Sequence, residues 1–199
     1  MRRGLEVSVI SAYAAAGAIA AGIAVASGRD PIRTASWVGL EGAASVGWSL
    51  VLGAILAAAT VLVSRITVRR TAWARELHVA LRPAVKDADG VTLACMALSS
   101  GVGEELLFRG LLVPLVGVAL SSISFGALHQ VRGPARWVWV SWASAMGLLF
   151  ALIFCLTGSL AGAVLAHVAI NAANLRYIRD VDPSPEPPSS RALGGLLRR

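Results

Sequence analysis

Three short constellations place polar side chains inside otherwise apolar sequence. The run Val91–Val118 contains Glu104, Glu105 and Arg109. The shorter run Leu120–Gln130 carries His129 near its end, and the run Leu160–Ile178 carries His167 and Asn171. In a bilayer, a charged side chain at the midplane costs about 2.5–3.5 kcal/mol on insertion scales, so each such group needs a partner. Glu105 and Arg109 stand four residues apart and can share a helix face, while Glu104 points about 100° away towards a different neighbour. One carboxylate can thus pair with Arg109 while the other stays available. Asn171 follows His167 by one turn, so both can turn into one cavity. A carboxylate and an imidazole brought from different helices can hold a water between them, which is the arrangement of general-base hydrolysis. Each piece also has a plainer reading. Glu105–Arg109 alone is a structural ion pair, a lone His129 is a satisfied core or interface histidine, and His167 with Asn171 is an interhelical hydrogen-bonded pair. His78, in a basic loop, reads as a surface residue. The weight lies in their joint occurrence, in order.

The elements that must carry these residues follow from composition. Of 199 residues, 56% are apolar and only 15% charged, with a mean hydropathy of +0.71. Ordinary soluble domains hold about 45–50% apolar and about 25% charged residues, so a disordered chain is excluded and the bilayer is the expected solvent. The spacing predicts an all-α, polytopic transmembrane bundle of about six spans, one of them short or broken. The spans are Leu5–Ala26, Ala43–Val63, Val91–Val118, the short Leu120–Gln130, Trp137–Leu156 and Leu160–Ile178. Ala24-Val25-Ala26 resembles a signal-peptidase site, but the first run exceeds the roughly 7–15 residues of a usual signal core, which favours a retained helix. Pro114 should kink or break the third span. Gly158 and Gly162 form a small-xxx-small pair suited to close helix packing.

Net charge is +7, and every basic residue except Lys86 is arginine. The arginines flank apolar runs, which reads as positive-inside anchoring rather than nucleic-acid binding. Between residues 64 and 90, Ile66, Trp73, Leu77 and Leu81 recur at near-helical spacing among basic residues, as in an amphipathic helix on an anionic membrane face. Six spans put both termini, the 64–90 loop and the 131–136 link on one face, and the charge bias makes that face cytoplasmic. Cys95 and Cys155 have neither disulfide-framework nor zinc spacing. Three regions emerge: residues 1–90, with two spans and the basic loop; residues 91–178, with the chemistry; and residues 179–199, a Pro- and Ser-rich tail expected to be disordered.

The motifs read EExxxR at Glu104–Arg109, FxxxH at Phe125–His129 and HxxxN at His167–Asn171. This ordered set resembles the CPBP family of CAAX proteases and bacteriocin-processing enzymes, which includes the type II CAAX prenyl endopeptidases, intramembrane glutamic proteases. The resemblance covers about Val91–Leu175. It implies that Glu104 activates a water, that His129 helps to bind and orient it, and that His167 and Asn171 stabilise the tetrahedral oxyanion. It further implies that Glu105 and Arg109 support the first motif, that Phe125 is a packing position, and that no metal or other cofactor is needed. The expected partners are a peptide or membrane-protein substrate and the lipid bilayer, with no nucleic acid. The expected setting is a bacterial cytoplasmic membrane.

Other functions compete. Two glutamates and two histidines could ligate zinc, although HExxH is absent. A non-catalytic membrane protein of bacteriocin-immunity or scaffold type is the alternative from another class. A proton-coupled transporter could also use buried Glu and His, but the chain is small and lacks evident inverted repeats.

Overall fold

The computed structural model describes residues 2–131 and 133–183. Among them every regular element is helical: α1 (Arg2–Ala26), α2 (Gly42–Arg70), α3 (Ala72–Val85), α4 (Gly90–Glu105), a π-helical segment (Leu106–Leu112), α5 (Val113–Leu128), α6 (Arg136–Thr157) and α7 (Ala161–Asp180). Four stretches are long and apolar enough to cross a membrane: Glu6–Ala26, Gly42–Arg70, Gly90–Leu128 and Arg136–Thr157. The last expected span, α7, is about 30 Å long at 1.5 Å per residue. It is long enough to cross but is made less apolar by His167, Asn171, Asn174, Arg176 and Arg179. It lies against α2, α3, α4 and α6. The tail expected from residue 179 lies, from residue 184 onward, outside the described residues, and so does Arg132 of the basic link.

The Gly90–Leu128 stretch is not one rod. Ser121 Oγ donates to the carbonyl of Phe108 at 2.9 Å, whereas thirteen residues of straight helix would separate these groups by about 20 Å. The chain reverses at Gly117, whose φ of 83° and ψ of 167° lie where a side chain is strained. The outgoing limb is about 40 Å long, and the returning arm, residues 118–128, only about 16 Å, too short to cross a bilayer core of about 30 Å. The break expected near Pro114 therefore falls three residues later. Pro114 itself sits at the start of α5, just after the π-helical turn, where the Val113 N–H reaches back five residues to the Phe108 carbonyl.

Three further expectations are corrected. Ile66 does not join an amphipathic helix with Trp73, because α2 runs on to Arg70 and the chain turns extended at Thr71 before α3 begins. His78 is buried rather than superficial: its Nε2 lies 2.8 Å from the Val181 carbonyl and its ring stands edge-on to Tyr177. Gly158 is a left-handed C-cap of α6 with φ 76°, not a helix-packing position. Gly158 approaches the Thr34 carbonyl of the segment after α1, while Gly162 makes the close helix contact, against Ser49 of α2. There the Ser49 hydroxyl accepts from the Gly162 N–H at 2.8 Å and donates to the Ser159 carbonyl at 2.9 Å, satisfying an orphan donor at the start of α7.

The two ends of the bundle differ. At one, the segment after α1 is pinned to the α6–α7 turn: Thr34 N–H donates to Gly158 O at 3.1 Å, Trp37 N–H to Cys155 O at 2.9 Å, and Leu160 N–H to Ile32 O at 3.0 Å. Arg29 and Arg33 at this end are accompanied by Asp30 and Glu41. At the other end lie α3 and the C-terminal turns of α2 and α7, with Arg65, Arg69, Arg70, Arg75, Arg82, Arg176 and Arg179. Arg65 ties α2 to α7 there, donating to Asn174 Oδ1 and to the Ala173 carbonyl, each at 2.8 Å, with its guanidinium 3.8 Å from the Tyr177 ring centre.

Candidate active site

The junction of α4 with the π-helical segment carries Glu104, Glu105 and Arg109. Arg109 is fully buried, and its Nη1 donates to Glu105 Oε1 at 2.8 Å, joining the i and i+4 side chains as their spacing predicts. Its Nη2 donates to the Gly147 carbonyl of α6 at 2.8 Å. The guanidinium also lies 4.6 Å from the Phe125 ring centre and 5.2 Å from that of Phe150, where aromatic faces favour a cation. Glu105 is equally buried and holds a second partner, His167 Nδ1, 2.8 Å from the same Oε1. The cluster around the ion pair thus draws on four elements rather than one helix. π-helical turns often mark functional sites, because the extra residue in the turn shifts the register of side chains on either side.

The returning arm positions the second histidine. Phe125 packs edge-on to Phe108 at 5.0 Å between ring centres, and its carbonyl lies 2.7 Å from His129 Nδ1. A carbonyl only accepts, so Nδ1 carries the proton and, in the neutral ring, Nε2 presents its lone pair. That Nε2 lies 3.8 Å from Glu104 Oε2. On α7, the same logic makes His167 Nδ1 the donor to ionised Glu105 and leaves Nε2 facing Glu104 Oε2 at 3.7 Å. Stacking against Phe150, with ring centres 5.0 Å apart and planes 15° from parallel, fixes the imidazole orientation.

Glu104 Oε2 is therefore a buried carboxylate oxygen with no direct hydrogen bond, flanked by two imidazole nitrogens. Separations of 3.7–3.8 Å are too long for direct bonds and suit a bridging water. Between Glu104 and His129 the two facing groups are both acceptors. Only a donor with two protons satisfies both, and water is the smallest.

The structure brings Glu104, His129 and His167 around one oxygen, with Glu105, Arg109 and Phe125 packed behind them. Asn171 is not in that circle: its Nδ2 donates to Ser100 Oγ at 3.0 Å, and Ser100 in turn donates to the Met96 carbonyl at 2.8 Å. An amide nitrogen carries two protons, so one remains after the bond to Ser100. The sequence reading gave neither Ser100 nor the Gly147 carbonyl a place in the site. Ser100 stands one turn before Glu104 and could have been found by that spacing, whereas a carbonyl leaves no trace in a side-chain pattern.

A cavity of about 180 Å³ opens beside Glu104 and His129 and is walled by Tyr13, Leu107, Phe108 and Leu128. Tyr13, of α1, was also missed. It is the sole aromatic residue of that helix, and that was its only signal. A larger apolar groove of about 540 Å³, lined by Trp73, Trp137 and Trp142, contains none of these residues. Among the described residues, no group of three or more His, Cys, Asp or Glu side chains is arranged to hold a metal ion.

Residues 88–173 match the family described as "Type II CAAX prenyl endopeptidase Rce1-like". An 84-residue segment is 33% identical to the uncharacterized protein YpbD of Bacillus subtilis (strain 168), covering 42% of this chain and 44% of that protein. The chain thus spans less than half the length of this relative. No solved structure gives a significant match. The matched family is one of proteases, and the matched segment contains all three motifs. Over residues 88–173, this integral membrane protein is similar to the Rce1-like type II CAAX prenyl endopeptidase family, a match consistent with the CPBP resemblance of its motifs.

Proposed function

We propose that the chain is an intramembrane glutamic endopeptidase in which Glu104 and His129 activate a water against a peptide carbonyl. The observation that carries this reading is the buried Glu104 Oε2 with imidazole Nε2 atoms at 3.8 and 3.7 Å. A water between Glu104 and His129 donates one proton to each and turns a lone pair outward. Glu104 takes a proton as the oxygen attacks, and returns it to the leaving amine. His167 donates to the oxyanion from Nε2. It can do so while Nδ1 donates to Glu105 only as the imidazolium, which the Glu105 carboxylate stabilises. In that form Glu104, Glu105, Arg109 and His167 sum to zero charge, which suits a site in a low-dielectric medium. The free N–H of the Asn171 amide supplies the second donor.

No acyl-enzyme forms in this scheme. Ser100 Oγ is engaged by Asn171 and the Met96 carbonyl, and Ser99 Oγ lies 3.3 Å from that same carbonyl. The substrate is a peptide or a membrane protein, and the basic end of the bundle, with both termini, faces the cytoplasm.

The test compares protein termini in cells carrying the native protein with those in cells carrying Glu104→Gln at equal expression. Termini that vanish in the variant, and reappear when purified native protein is added to the same substrate, are expected. The purified variant should cleave that substrate at least about 10²-fold more slowly, the scale of losing a general base. Unchanged termini, with the variant still supporting the native phenotype, would instead favour a non-catalytic immunity or scaffold role.

A further inference from the structure

The cavity beside Glu104 has three polar side chains in its wall: Glu104, His129 and Tyr13. The first two belong to the family segment. Tyr13 comes from α1, some seventy-five residues before that segment begins. Its placement has a backbone cause. Gly17 of α1 and Gly103 of α4 face each other so closely that a Cβ on Gly17 would stand 2.7 Å from the Gly103 Cα. A Cβ on Gly103 would collide with the Tyr13 carbonyl. With no side chain at either position the two helices meet backbone to backbone, and the residue one turn before Gly17 is carried onto the cavity wall next to the residue that follows Gly103. Those residues are Tyr13 and Glu104.

A phenol on a largely apolar wall favours an acceptor, and the Nε2 of His129 is already turned to Glu104 Oε2. The remaining side chains of the wall, Ala16, Leu107, Phe108 and Leu128, offer none. The Glu104 carboxylate shares that wall with Tyr13, on helices that meet backbone to backbone. Oε2 of Glu104 faces the two imidazoles, which leaves Oε1 as the oxygen a donor from α1 can take.

We propose that Tyr13 is a positioning residue of the active site, its hydroxyl donating to Glu104 Oε1 so that Oε2 stays turned towards His129 and His167. The contact itself stands on the geometry of α1 and α4, and its catalytic meaning rests on the protease reading above. A carboxylate held at one oxygen has one orientation to offer its water. Without the hydroxyl it can rotate, and the base is lost for part of the time. The family segment then does not contain a complete site, and α1 supplies a missing wall and a missing donor.

Two measurements on the full-length protein in detergent test this. The chain has only two tyrosines, Tyr13 and Tyr177, so uniform 3-fluorotyrosine gives two ¹⁹F resonances, assigned with Tyr13→Phe. Glu104→Gln should move the Tyr13 resonance and leave that of Tyr177, which lies against Arg65 and His78. In parallel, Tyr13→Phe should lower kcat about tenfold or more on a quenched peptide bearing the mapped cleavage sequence, with KM little changed. That is the scale of one hydrogen bond to a charged group. A Tyr13 resonance unmoved by Glu104→Gln overturns the contact. A moved resonance with unchanged kcat in Tyr13→Phe overturns the positioning role. Native-like cleavage by Glu104→Gln overturns the protease reading, and the positioning role with it, while the resonance still reports on the contact.

Discussion

Arg109 is the residue this molecule can least afford to leave alone. It is fully buried, its charge is met by Glu105, and its second nitrogen is met by the Gly147 carbonyl. Removing one partner of a buried pair typically costs about 3–5 kcal/mol, because the other charge stays behind. Arg109→Met should therefore lower thermal stability in detergent by that order, and Glu105→Gln on top of it should recover part of the loss. A double variant no more stable than Arg109→Met would mean that the ion pair is not what holds this region. The pairing itself was legible in the sequence, since four residues on a helix bring two side chains together. The sharing of Glu105 Oε1 between Arg109 and His167 was not, because it depends on where α7 lies. Asn171 shows the limit from the other side. Its spacing from His167 is helical, yet Ser100 takes up one of its protons.

At the scale of the element, the reversal at Gly117 decides whether His129 meets Glu104 at all. Sequence periodicity marks a short apolar segment ending on a histidine, and Pro114 draws attention as the obvious breaker. Proline tolerates the first turn of a helix, however, while only a residue without Cβ sits easily at the dihedral angles of Gly117. Gly117→Ala should strain the turn by about 1–3 kcal/mol. It should also reduce cleavage more than it reduces stability, since the returning arm carries both Phe125 and His129. Paired unfolding and activity measurements check this, and Pro114→Ala should affect cleavage less. The Ser121–Phe108 hydrogen bond closes the same hairpin and depends on the same turn.

For the whole molecule, the uneven charge of the two ends predicts its orientation. The end with α3 is rich in arginine, while the end with the 27–41 segment balances Arg29 and Arg33 against Asp30 and Glu41. With Cys95 and Cys155 replaced by serine, a cysteine at exposed Val38 should react with a membrane-impermeant maleimide on intact cells. One at exposed Lys86 should react only after the membrane is opened. The reverse pattern would invert the topology. The helical bundle was readable from hydropathy because the bilayer enforces long apolar runs. The part played by α1 was not, because Gly17, Gly103 and Tyr13 act through backbone proximity between segments ninety residues apart, and no periodicity within either one records it.

The placement of Arg109 four residues after Glu105 also bears on how the chain is made. Gly147 and His167, which later complete the cluster, lie on helices synthesised after this one, and domains and segments emerge in order from the ribosome. While α4 is leaving the translocon, neither exists. A cation whose only counter-charge lay on α6 or α7 would have to enter the lipid bare. Because Glu105 is one turn upstream on the same helix, the guanidinium arrives already neutralised, and the insertion step does not wait for the rest of the protein.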